Sequence, residues 1–392
     1  MVKDKNILIG VSSGVAIYKV LDLISKLKKH GANVKVIMTE NAQEFIKPIL
    51  FEVMSKSKVY TDQFESFEQA GVVHIELSKW ADAFLLAPAT ANTLAKLSFG
   101  LGDNLLMSTA LAYTKDLILA PTMNTHMLEN PNTQRNLKML KDQGHNIIES
   151  GTGLLACNDI GKGRMAEPVE IFDYLNSYFV EKDLEGKKII VSAGPTIEVI
   201  DPVRYITNRS SGKMGYAIAK AARDRGADVI LVAGPNNIND IKGIETRHIL
   251  TNEDLVKSID RDFDASDSLI MAAAPCDFAV EYKAQSKLKK EELSSLSLKK
   301  NPDIIKYFAS KKTSQKLIGF AAETDNLLDN ARKKLKNKGL DYIVANDVSS
   351  ADTGFDSEEN KGYIISEKKE IEIPRMDKYD MANIILDVLI HV

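Results

Sequence analysis

The chain has 392 residues, of which 44% are hydrophobic and 27% are charged, and its formal net charge is −3. This length predicts two or three domains, and the composition is typical of soluble globular proteins. The balance of basic and acidic side chains argues against a nucleic-acid surface, and no run approaches the ~20 apolar residues of a membrane span. Cys157 and Cys276 are too few for a disulfide framework. Because Met1–Asp4 leads straight into an apolar run without a signal-peptide pattern, we expect a cytoplasmic protein with no nucleic-acid or membrane partner.

Strand and helix signals alternate through the first half of the chain. Asn6–Val11 is a short apolar run, and Val15–His30 has the period of a helix. Further buried strands are predicted at Val34–Thr39, Ala83–Pro88 and Leu117–Pro121. Strands that alternate with helices predict an α/β fold with a parallel, doubly wound sheet, here of the flavodoxin-like kind.

A second alternation begins near residue 187 and predicts another Rossmann-like unit in tandem. Ile189–Ala193 predicts a strand and Met214–Arg225 a helix, while the charged segment 181–187 is interpreted as a linker. We therefore expect domains at residues 1–182 and 187–392. Segment 283–300 breaks the pattern and is interpreted as a mobile flap. The remaining predictions are strands at Leu317–Ala321 and Tyr342–Ala345, helices at Asn326–Lys338 and Tyr379–Leu389, and a hairpin at Gly362–Pro374.

Small and polar residues follow two of the first-half strands. The tripeptide Ser12-Ser13-Gly14 precedes a helix, whose N-terminal N–H groups suit a phosphate, and it lacks the GxGxxG spacing of a dinucleotide site. The segment Pro88–Thr93 follows a strand at its carboxyl end, where ligands bind in open α/β sheets. Its small residues would allow a flat ring to approach. Either segment could instead only cap a helix.

Three other residues suit proton transfer or carboxylate binding. His74 belongs to the residue type that exchanges protons near neutral pH, and Asn124 could bind a carboxylate through its amide group. Cys157 lies in a glycine-bearing loop and could donate a proton, because thiols are mostly protonated at neutral pH. The alternatives are a structural histidine, a turn-forming asparagine and an inert buried cysteine.

Taken together, these segments resemble the flavin-dependent cysteine decarboxylases. That family has a histidine, a PASANT-like segment, a PxMNxxM segment and a substrate-clamp loop with cysteine, matched here by His74, Pro88–Thr93, Pro121–Met127 and Leu155–Met165. Leu128 replaces a frequent tryptophan, and Asn158 replaces a frequent glycine after the clamp cysteine. Both departures affect the expected edge of the pocket.

The resemblance implies FMN-dependent decarboxylation of phosphopantothenoylcysteine to 4'-phosphopantetheine. It implies oxidation of the substrate thiol to a thioaldehyde, loss of CO₂ and reduction of the resulting enethiol, with no net redox change. His74 would assist proton removal, Met123 and Asn124 would bind substrate, and Cys157 would supply the final proton. The implied FMN-binding residues are Ser12, Ser13, Gly14, Thr39, Ala89, Thr90 and Asn92.

Second-half motifs also follow strand ends. Ser211-Gly212-Lys213 is similar to a phosphate loop but lacks the GxxxxGK[ST] spacing, whereas Arg204 and Asn208 just before it could hold anionic or carbonyl oxygens. Asp277 ends a strand where a metal or ribose ligand would be useful, and is equally well explained as a surface aspartate. Asn301-Pro302-Asp303 predicts a helix start with Asn301 as N-cap.

Two groups of lysines could contact phosphates. Lys287-Leu288-Lys289-Lys290 lies in the predicted flap, and Lys334 and Lys338 share one helical face. Solvated surface lysines are the alternative for both groups.

This second set resembles phosphopantothenate–cysteine ligase, in the bacterial form fused to a decarboxylase of the first family. The matching segments are Arg204–Gly215, Ala273–Asp277, Lys287–Lys290, Asn301–Ile304, Gly319–Thr324 and Ala345–Val348. The resemblance implies a role in coenzyme A biosynthesis: CTP activates 4'-phosphopantothenate as an acyl-cytidylate, which cysteine then attacks. It also implies flavoprotein trimers that assemble further, and ligase dimers.

The ligase resemblance implies roles for individual residues. Asn208 and Lys287 would serve the chemistry, Arg204 and Asn208 would bind substrate, and Mg²⁺ is expected with the triphosphate near Asp277. The implied nucleotide-binding residues are Ala273, Ala274, Asp277, Lys287, Asn301, Pro302, Asp303, Ile304, Phe320, Lys334 and Lys338.

Two alternatives belong to other functional classes. A redox flavoenzyme or NAD(P) dehydrogenase on tandem Rossmann units requires GxGxxG with a downstream acidic residue, which the first turn lacks. A non-enzymatic regulatory or binding subunit related to the flavoprotein half is disfavoured because His74, Asn124 and Cys157 are all present. The choice between CTP and ATP stays open at this point.

Overall fold

The protein consists of two compact units, residues 1–180 and residues 181–392. The computed structural model describes residues 2–64, 71–154, 160–289, 295–323, 326–347 and 357–390. None of the helices in these ranges combines the length and the apolar character needed to cross a membrane.

The first unit is a parallel sheet with helices on both faces. Its described strands are β1 (Asn6–Val11), β2 (Asn33–Met38), β3 (Val59–Tyr60), β4 (Ala83–Ala89), β5 (Ile118–Pro121) and β6 (Asn146–Ile147), followed by the hairpin β7 (Gly151–Leu154) and β8 (Ile160–Arg164). Its described helices are α1 (Ile17–Lys29), α2 (Pro48–Ser55), α3 (Val73–Trp80), α4 (Ala91–Ser98), α5 (Leu105–Ala112), α6 (Thr125–Glu129), α7 (Pro131–Asp142) and α8 (Pro168–Tyr178).

The order of the strands locates the ligand crevice of this unit. The sheet runs β3-β2-β1-β4-β5-β6, and all of these pairs are parallel. The prediction of a doubly wound sheet is confirmed, and the order is that of the Rossmann fold rather than the 2-1-3-4-5 order of flavodoxin. The order reverses between β1 and β4, so the crevice opens at the carboxyl ends of these two strands.

The second unit repeats this plan and adds an antiparallel edge. Its described strands are β9 (Lys188–Ala193), β10 (Ile197–Val199), β11 (Tyr205–Thr207), β12 (Asp228–Ala233), β13 (Glu245–His248), β14 (Ser268–Met271), β15 (Phe278–Val280), β16 (Leu298–Lys300), β17 (Lys316–Glu323), β18 (Tyr342–Asp347), β19 (Glu359–Ile365) and β20 (Glu370–Asp377). Its described helices are α9 (Lys213–Asp224), α10 (Asn252–Asp260), α11 (Ile304–Lys311), α12 (Leu327–Lys338) and α13 (Lys378–Asp387).

The main sheet of the second unit runs β13-β12-β9-β14-β17-β18-β19-β20. The pairs from β13 to β18 are parallel, and β19 and β20 are antiparallel, which confirms the predicted C-terminal hairpin. The described part of the predicted flap includes β16, which pairs with β15 in a small antiparallel arm.

The segment predicted as a linker, 181–187, packs against the second unit. Leu184 is buried in its core, and the Leu184 N–H donates to the Arg225 carbonyl oxygen at 2.9 Å. The buried Arg225 guanidinium donates to both carboxylate oxygens of Asp183 at 2.8 Å. The packing of this segment could not be predicted from an apolar period, because a single leucine, Leu184, makes the contact with the core.

Close approach of α9 to β9 depends on Gly215. A Cβ atom at this position would lie 2.5 Å from the Ala193 Cβ and 2.9 Å from the Ser192 carbonyl oxygen. The helix that follows the Arg204–Gly212 segment therefore lies directly against the central strand.

We predict that Gly215→Ala destabilises the second unit. Helix propensity alone would stabilise the variant by about 1 kcal/mol, whereas overpacking costs about 1–3 kcal/mol, so the calorimetric transition of this unit should shift down by about 3 °C. Ala217→Val, which adds bulk on the same helix, is the control. A raised transition temperature for Gly215→Ala would show that α9 can move away from β9 without a loss of stability.

Candidate functional site

A cavity of about 710 Å³ opens at the carboxyl ends of β1, β4 and β5. This size is within the ~300–1,000 Å³ typical of small-molecule sites. Its lining residues are Ser13, Gly14, Val15, Ala16, Tyr18, Lys19, Thr90, Ala91, Asn92, Thr122, Met123, Asn124, Met127, Gly163, Arg164 and Met165. The cavity thus brings together the turn after β1, the start of α4, the segment after β5 and the end of β8.

A buried hydroxyl joins the two strands on either side of the crevice. The Ser12 hydroxyl donates to the Pro88 carbonyl oxygen at 2.7 Å and accepts from the Thr90 N–H at 3.4 Å. No side chain caps α1, so Ser12 and Ser13 are not its caps. Thr90 does cap α4, because its hydroxyl accepts from the Thr93 N–H at 3.4 Å, and it lines the cavity as well.

One wall of the cavity is formed where the β8 strand meets the segment after β5. The Met123 N–H donates to the Gly163 carbonyl oxygen at 3.0 Å, and a Cβ at Gly163 would lie 2.2 Å from the Met123 carbonyl oxygen. The Asn124 Oδ1 accepts from the His126 N–H at 2.8 Å and caps α6. A carboxylate at Asn124 would therefore be bound through Nδ2.

Four expected residues of this site, Ser12, Thr39, Ala89 and His74, are described by the structure but are not on the cavity lining. Ala89 is buried at the end of β4, and the Thr39 N–H donates to the Val11 carbonyl oxygen, which places Thr39 at the same sheet edge. His74 lies in the first turn of α3, and its buried Nδ1 has no hydrogen-bond partner among the described residues. Cys157 lies outside the described residues.

Sequence reasoning missed two cations on the cavity wall. Lys19, in α1, is 7% exposed, and its Nζ lies 2.7 Å from Glu167 Oε1. Arg164 Nη2 lies 3.4 Å from the same oxygen. The sequence did contain one indication of this site. Lys19 is a charged residue on the apolar face of α1, one turn before Leu23.

Thr196 is the buried centre of the second-unit site. Its hydroxyl donates to Asn252 Oδ1 at 2.7 Å and accepts from the Cys276 N–H at 2.9 Å. Asn252 Nδ2 in turn donates to the Cys276 carbonyl oxygen at 2.7 Å. Burial raises the pKa of the Cys276 thiol, which stays neutral and donates to the Thr196 carbonyl oxygen. These contacts fix the backbone after β14.

Asn301 connects the start of α11 to the backbone after β14. Its Nδ2 donates to the Cys276 carbonyl oxygen at 2.9 Å and to Glu198 Oε1 at 3.1 Å, and its N–H donates to the Asp277 carbonyl oxygen at 2.8 Å. The prediction of Asn301 as N-cap is wrong. Asp303 caps α11, because its Oδ1 accepts from the Lys306 N–H, while the Asn301 amide is used in long-range contacts.

Arg204 and Asp201 anchor the root of the predicted flap. The Asp201 carboxylate accepts from the Leu288 N–H at 3.2 Å, and the Arg204 guanidinium donates to Asp201 and to the Leu288 carbonyl oxygen. Burial alone would raise the pKa of the Asp201 carboxyl, but the backbone N–H groups of Val203, Leu288 and Arg204 and the Arg204 charge hold it below its usual range. The neighbouring Lys287 is exposed.

Further contacts involve residues that were predicted to bind substrate or nucleotide in the second unit. Asn208 Nδ2 donates to the Pro275 carbonyl oxygen at 2.9 Å, and Lys338 Nζ lies 3.5 Å from Asp303 Oδ2. Phe320 directly follows Gly319, the register partner of Met271, and so lies level with the end of β14. Lys334 lies on the same helix as Lys338. Lys290 lies outside the described residues.

The described residues contain no cluster of three or more His, Cys, Asp or Glu side chains suited to a metal ion. Asp277 is exposed. Mg²⁺ commonly binds through one or two carboxylates together with substrate phosphates, so a single carboxylate here fits a metal that arrives with the nucleotide.

Comparisons with known proteins match each half of the chain to a family. Residues 1–179 match the family described as Flavoprotein, and residues 184–392 match the DNA/pantothenate metabolism flavoprotein C-terminal domain. The coenzyme A biosynthesis bifunctional protein CoaBC of Bacillus subtilis (strain 168) is 43% identical over 97% of this chain and 96% of its own length. The protein of that name from Vibrio parahaemolyticus serotype O3:K6 (strain RIMD 2210633) is 42% identical over 91% of this chain and 90% of its own length.

A solved structure resembles the second unit. The crystal structure of the C-terminal domain of a coenzyme A biosynthesis bifunctional protein CoaBC is 37% identical, covers 53% of this chain and 96% of its own chain, and has a TM-score of 0.47.

The chain joins a flavoprotein unit to a pantothenate-metabolism unit. It belongs to the family of bifunctional coenzyme A biosynthesis proteins. It is therefore an enzyme with two activities in one chain.

We predict that Thr196→Val destabilises the second unit by about 2 kcal/mol, because it leaves the buried Cys276 N–H and Asn252 Oδ1 without their partner. Its calorimetric transition should fall by about 6 °C. Thr196→Ser keeps the hydroxyl and is the matched control. A fall in Thr196→Ser as large as that in Thr196→Val would show that loss of the hydrogen bonds does not explain the destabilisation.

Proposed function

We propose that the two units catalyse successive steps of coenzyme A biosynthesis. The second unit, residues 181–392, ligates 4'-phosphopantothenate to cysteine with CTP, and the first, residues 1–180, decarboxylates the product with FMN. The observation that carries this proposal is the pair of sites at equivalent sheet edges, one on each Rossmann-like unit. Of the residues expected for the first half of the chemistry, Ser13, Gly14, Thr90, Asn92, Met123 and Asn124 line the first-unit cavity.

The first-unit cavity fits a flavin by its lining. Gly14, Ala91 and Thr90 leave a small-residue wall beside the N-terminal turn of α1, where N–H groups suit a phosphate. Bound FMN supplies the two-electron oxidation of the substrate thiol and its later reversal. Asn124 Nδ2 holds the substrate carboxylate until CO₂ leaves, His74 accepts a proton, and Cys157 returns one to the product.

The second-unit chemistry begins with activation of an unreactive carboxylate. The carboxylate of phosphopantothenate attacks the α-phosphorus of CTP, and pyrophosphate leaves. The cysteine amine then attacks the acyl carbon, and CMP leaves. Lys287, Lys334 and Lys338 offset charge on the phosphates, and Mg²⁺ accompanies the nucleotide near Asp277.

Asn208 orients the acyl carbonyl in this scheme. Its Nδ2 donates to the Pro275 carbonyl oxygen at 2.9 Å and also lies 3.5 Å from the Ala274 carbonyl oxygen, which fixes the amide beside the strand end. In this proposal the acyl oxygen accepts from the same Nδ2 in place of the longer Ala274 contact. Arg204 keeps the root of the Lys287 segment in place through Asp201 and Leu288.

We predict that the purified full chain carries a yellow flavin and releases pyrophosphate from CTP only when phosphopantothenate is present. Absorbance at flavin wavelengths and a coupled pyrophosphate assay measure the two properties separately. ATP in place of CTP is the comparison. A colourless chain, or pyrophosphate release without phosphopantothenate, would contradict the respective half of the proposal.

We predict that Asn208→Asp still forms acyl-cytidylate but converts it slowly to the cysteine amide, because a carboxylate cannot donate to the acyl oxygen. Quenched reactions analysed by mass spectrometry measure the intermediate and the product. Decarboxylation of added phosphopantothenoylcysteine by the same variant is the internal control and should be unchanged. Product formation at the wild-type rate would remove Asn208 from this role.

We also propose that the chain forms a homo-oligomer through the first unit. Ile49, Leu50 and Val53 on α2 are exposed by 43–65%, and Phe45 just before them by 50%. Exposed apolar patches of this kind mark protein interfaces.

Val53→Asp should lower the mass of the oligomer, because it places a charge in this apolar patch. Sedimentation velocity measures the change. Val169→Asp is the matched control, since Val169 is 53% exposed on a different helix, near the start of α8. An unchanged mass for Val53→Asp would exclude α2 from the interface.

A further inference from the structure

The charge on the first-unit cavity is concentrated in two residues. Among the described residues that line it, Lys19 and Arg164 are the only ones of the Asp, Glu, Lys and Arg types. The remaining lining is apolar or carries neutral amides and hydroxyls. The cavity therefore has a cationic wall, which favours an anionic group on its ligand.

One carboxylate serves both cations. Glu167 Oε1 lies 2.7 Å from Lys19 Nζ and 3.4 Å from Arg164 Nη2. A single negative charge against two positive charges leaves an excess of one. Lys19 is only 7% exposed, and a buried ammonium group is costly unless an anion compensates it. A second anion would complete this compensation.

The two cations are held by the elements that form the site. Lys19 belongs to α1, directly after the Ser12–Gly14 turn, and Arg164 ends β8. The Arg164 side chain crosses Gly153 of the facing strand, where a Cβ would lie 2.8 Å from Arg164 Nη1. Both cations are thus placed before a ligand arrives, which limits the ordering cost of binding.

We propose that Lys19 and Arg164, positioned by Glu167, bind a phosphate monoester at this wall of the cavity. This inference rests on the proposed function, under which two ligands of the cavity, FMN and phosphopantothenoylcysteine, each carry such a group. A phosphate monoester carries about −1.5 to −2 charges at neutral pH, so it matches a two-cation wall better than a carboxylate does. The planar guanidinium of arginine suits its oxygens.

The experiment compares ligands with and without the phosphate. Dissociation constants of FMN and riboflavin test the cofactor as the source, and KM values of phosphopantothenoylcysteine and pantothenoylcysteine test the substrate. In Lys19→Met and Arg164→Met, the preference for the phosphorylated member of one pair should fall roughly tenfold, the scale of a lost charge-assisted hydrogen bond. The pair whose preference falls identifies the source.

Glu167→Gln tests the direction in which the preference for the phosphorylated ligand changes. It removes the competing negative charge while keeping the size of the side chain, so the same preference should rise. A purely structural role of the Lys19–Glu167–Arg164 cluster would change both members of each pair equally and leave the preference unchanged. Lys138→Met, at an exposed position of α7, is the control for a bare loss of charge.

Two outcomes separate this inference from the function on which it rests. If the wild type binds neither FMN nor riboflavin, both the proposed function and the inference fail. If the wild type prefers phosphorylated ligands and both methionine variants keep that preference, only the inference is overturned. Arg164→Lys, which keeps the charge, guards against misfolding of the methionine variant and should retain part of the preference.

Discussion

Each unit depends on a hydroxyl that joins the turn after the first strand of its main sheet, β1 or β9, to the backbone at the carboxyl end of the neighbouring strand, β4 or β14. In the first unit the Ser12 hydroxyl donates to the Pro88 carbonyl oxygen at 2.7 Å, and in the second the Thr196 hydroxyl accepts from the Cys276 N–H at 2.9 Å. These are the two strand ends between which the sheet order reverses. The bridge holds the crevice at a fixed width, so ligand-facing residues on both sides keep their separation.

Most of the fold could be predicted because its strands are buried on both faces. Asn6–Val11 was predicted with the bounds that the structure has, and the C-terminal hairpin and the helix that ends at Lys338 were also recognised. The order of the strands could not be predicted, because pairing depends on contacts between segments far apart in the chain. The helix start near Asn301 was misplaced for the same reason: its amide is drawn to Cys276 and Glu198.

The candidate site shows the same division between local and long-range information. Ser13, Thr90, Asn92 and Asn124 could be selected because each follows a strand at its carboxyl end, and they do line one cavity. Lys19 and Arg164 were missed because their shared partner, Glu167, comes from a third element. His74 was selected by residue type and by the family resemblance, and the described chain does not place it on the cavity lining.

The way in which residues 181–187 are built into the second unit bears on how such a fused gene could be divided or could have arisen. Leu184 and Asp183 belong to the second core, while the first unit is complete by residue 180. A fission that begins the downstream protein after Lys187 would remove a core side chain and leave the buried Arg225 without its Asp183 partner. Natural or engineered separation of the two activities is therefore constrained to a junction within a few residues of position 180, upstream of the segment that composition alone suggests.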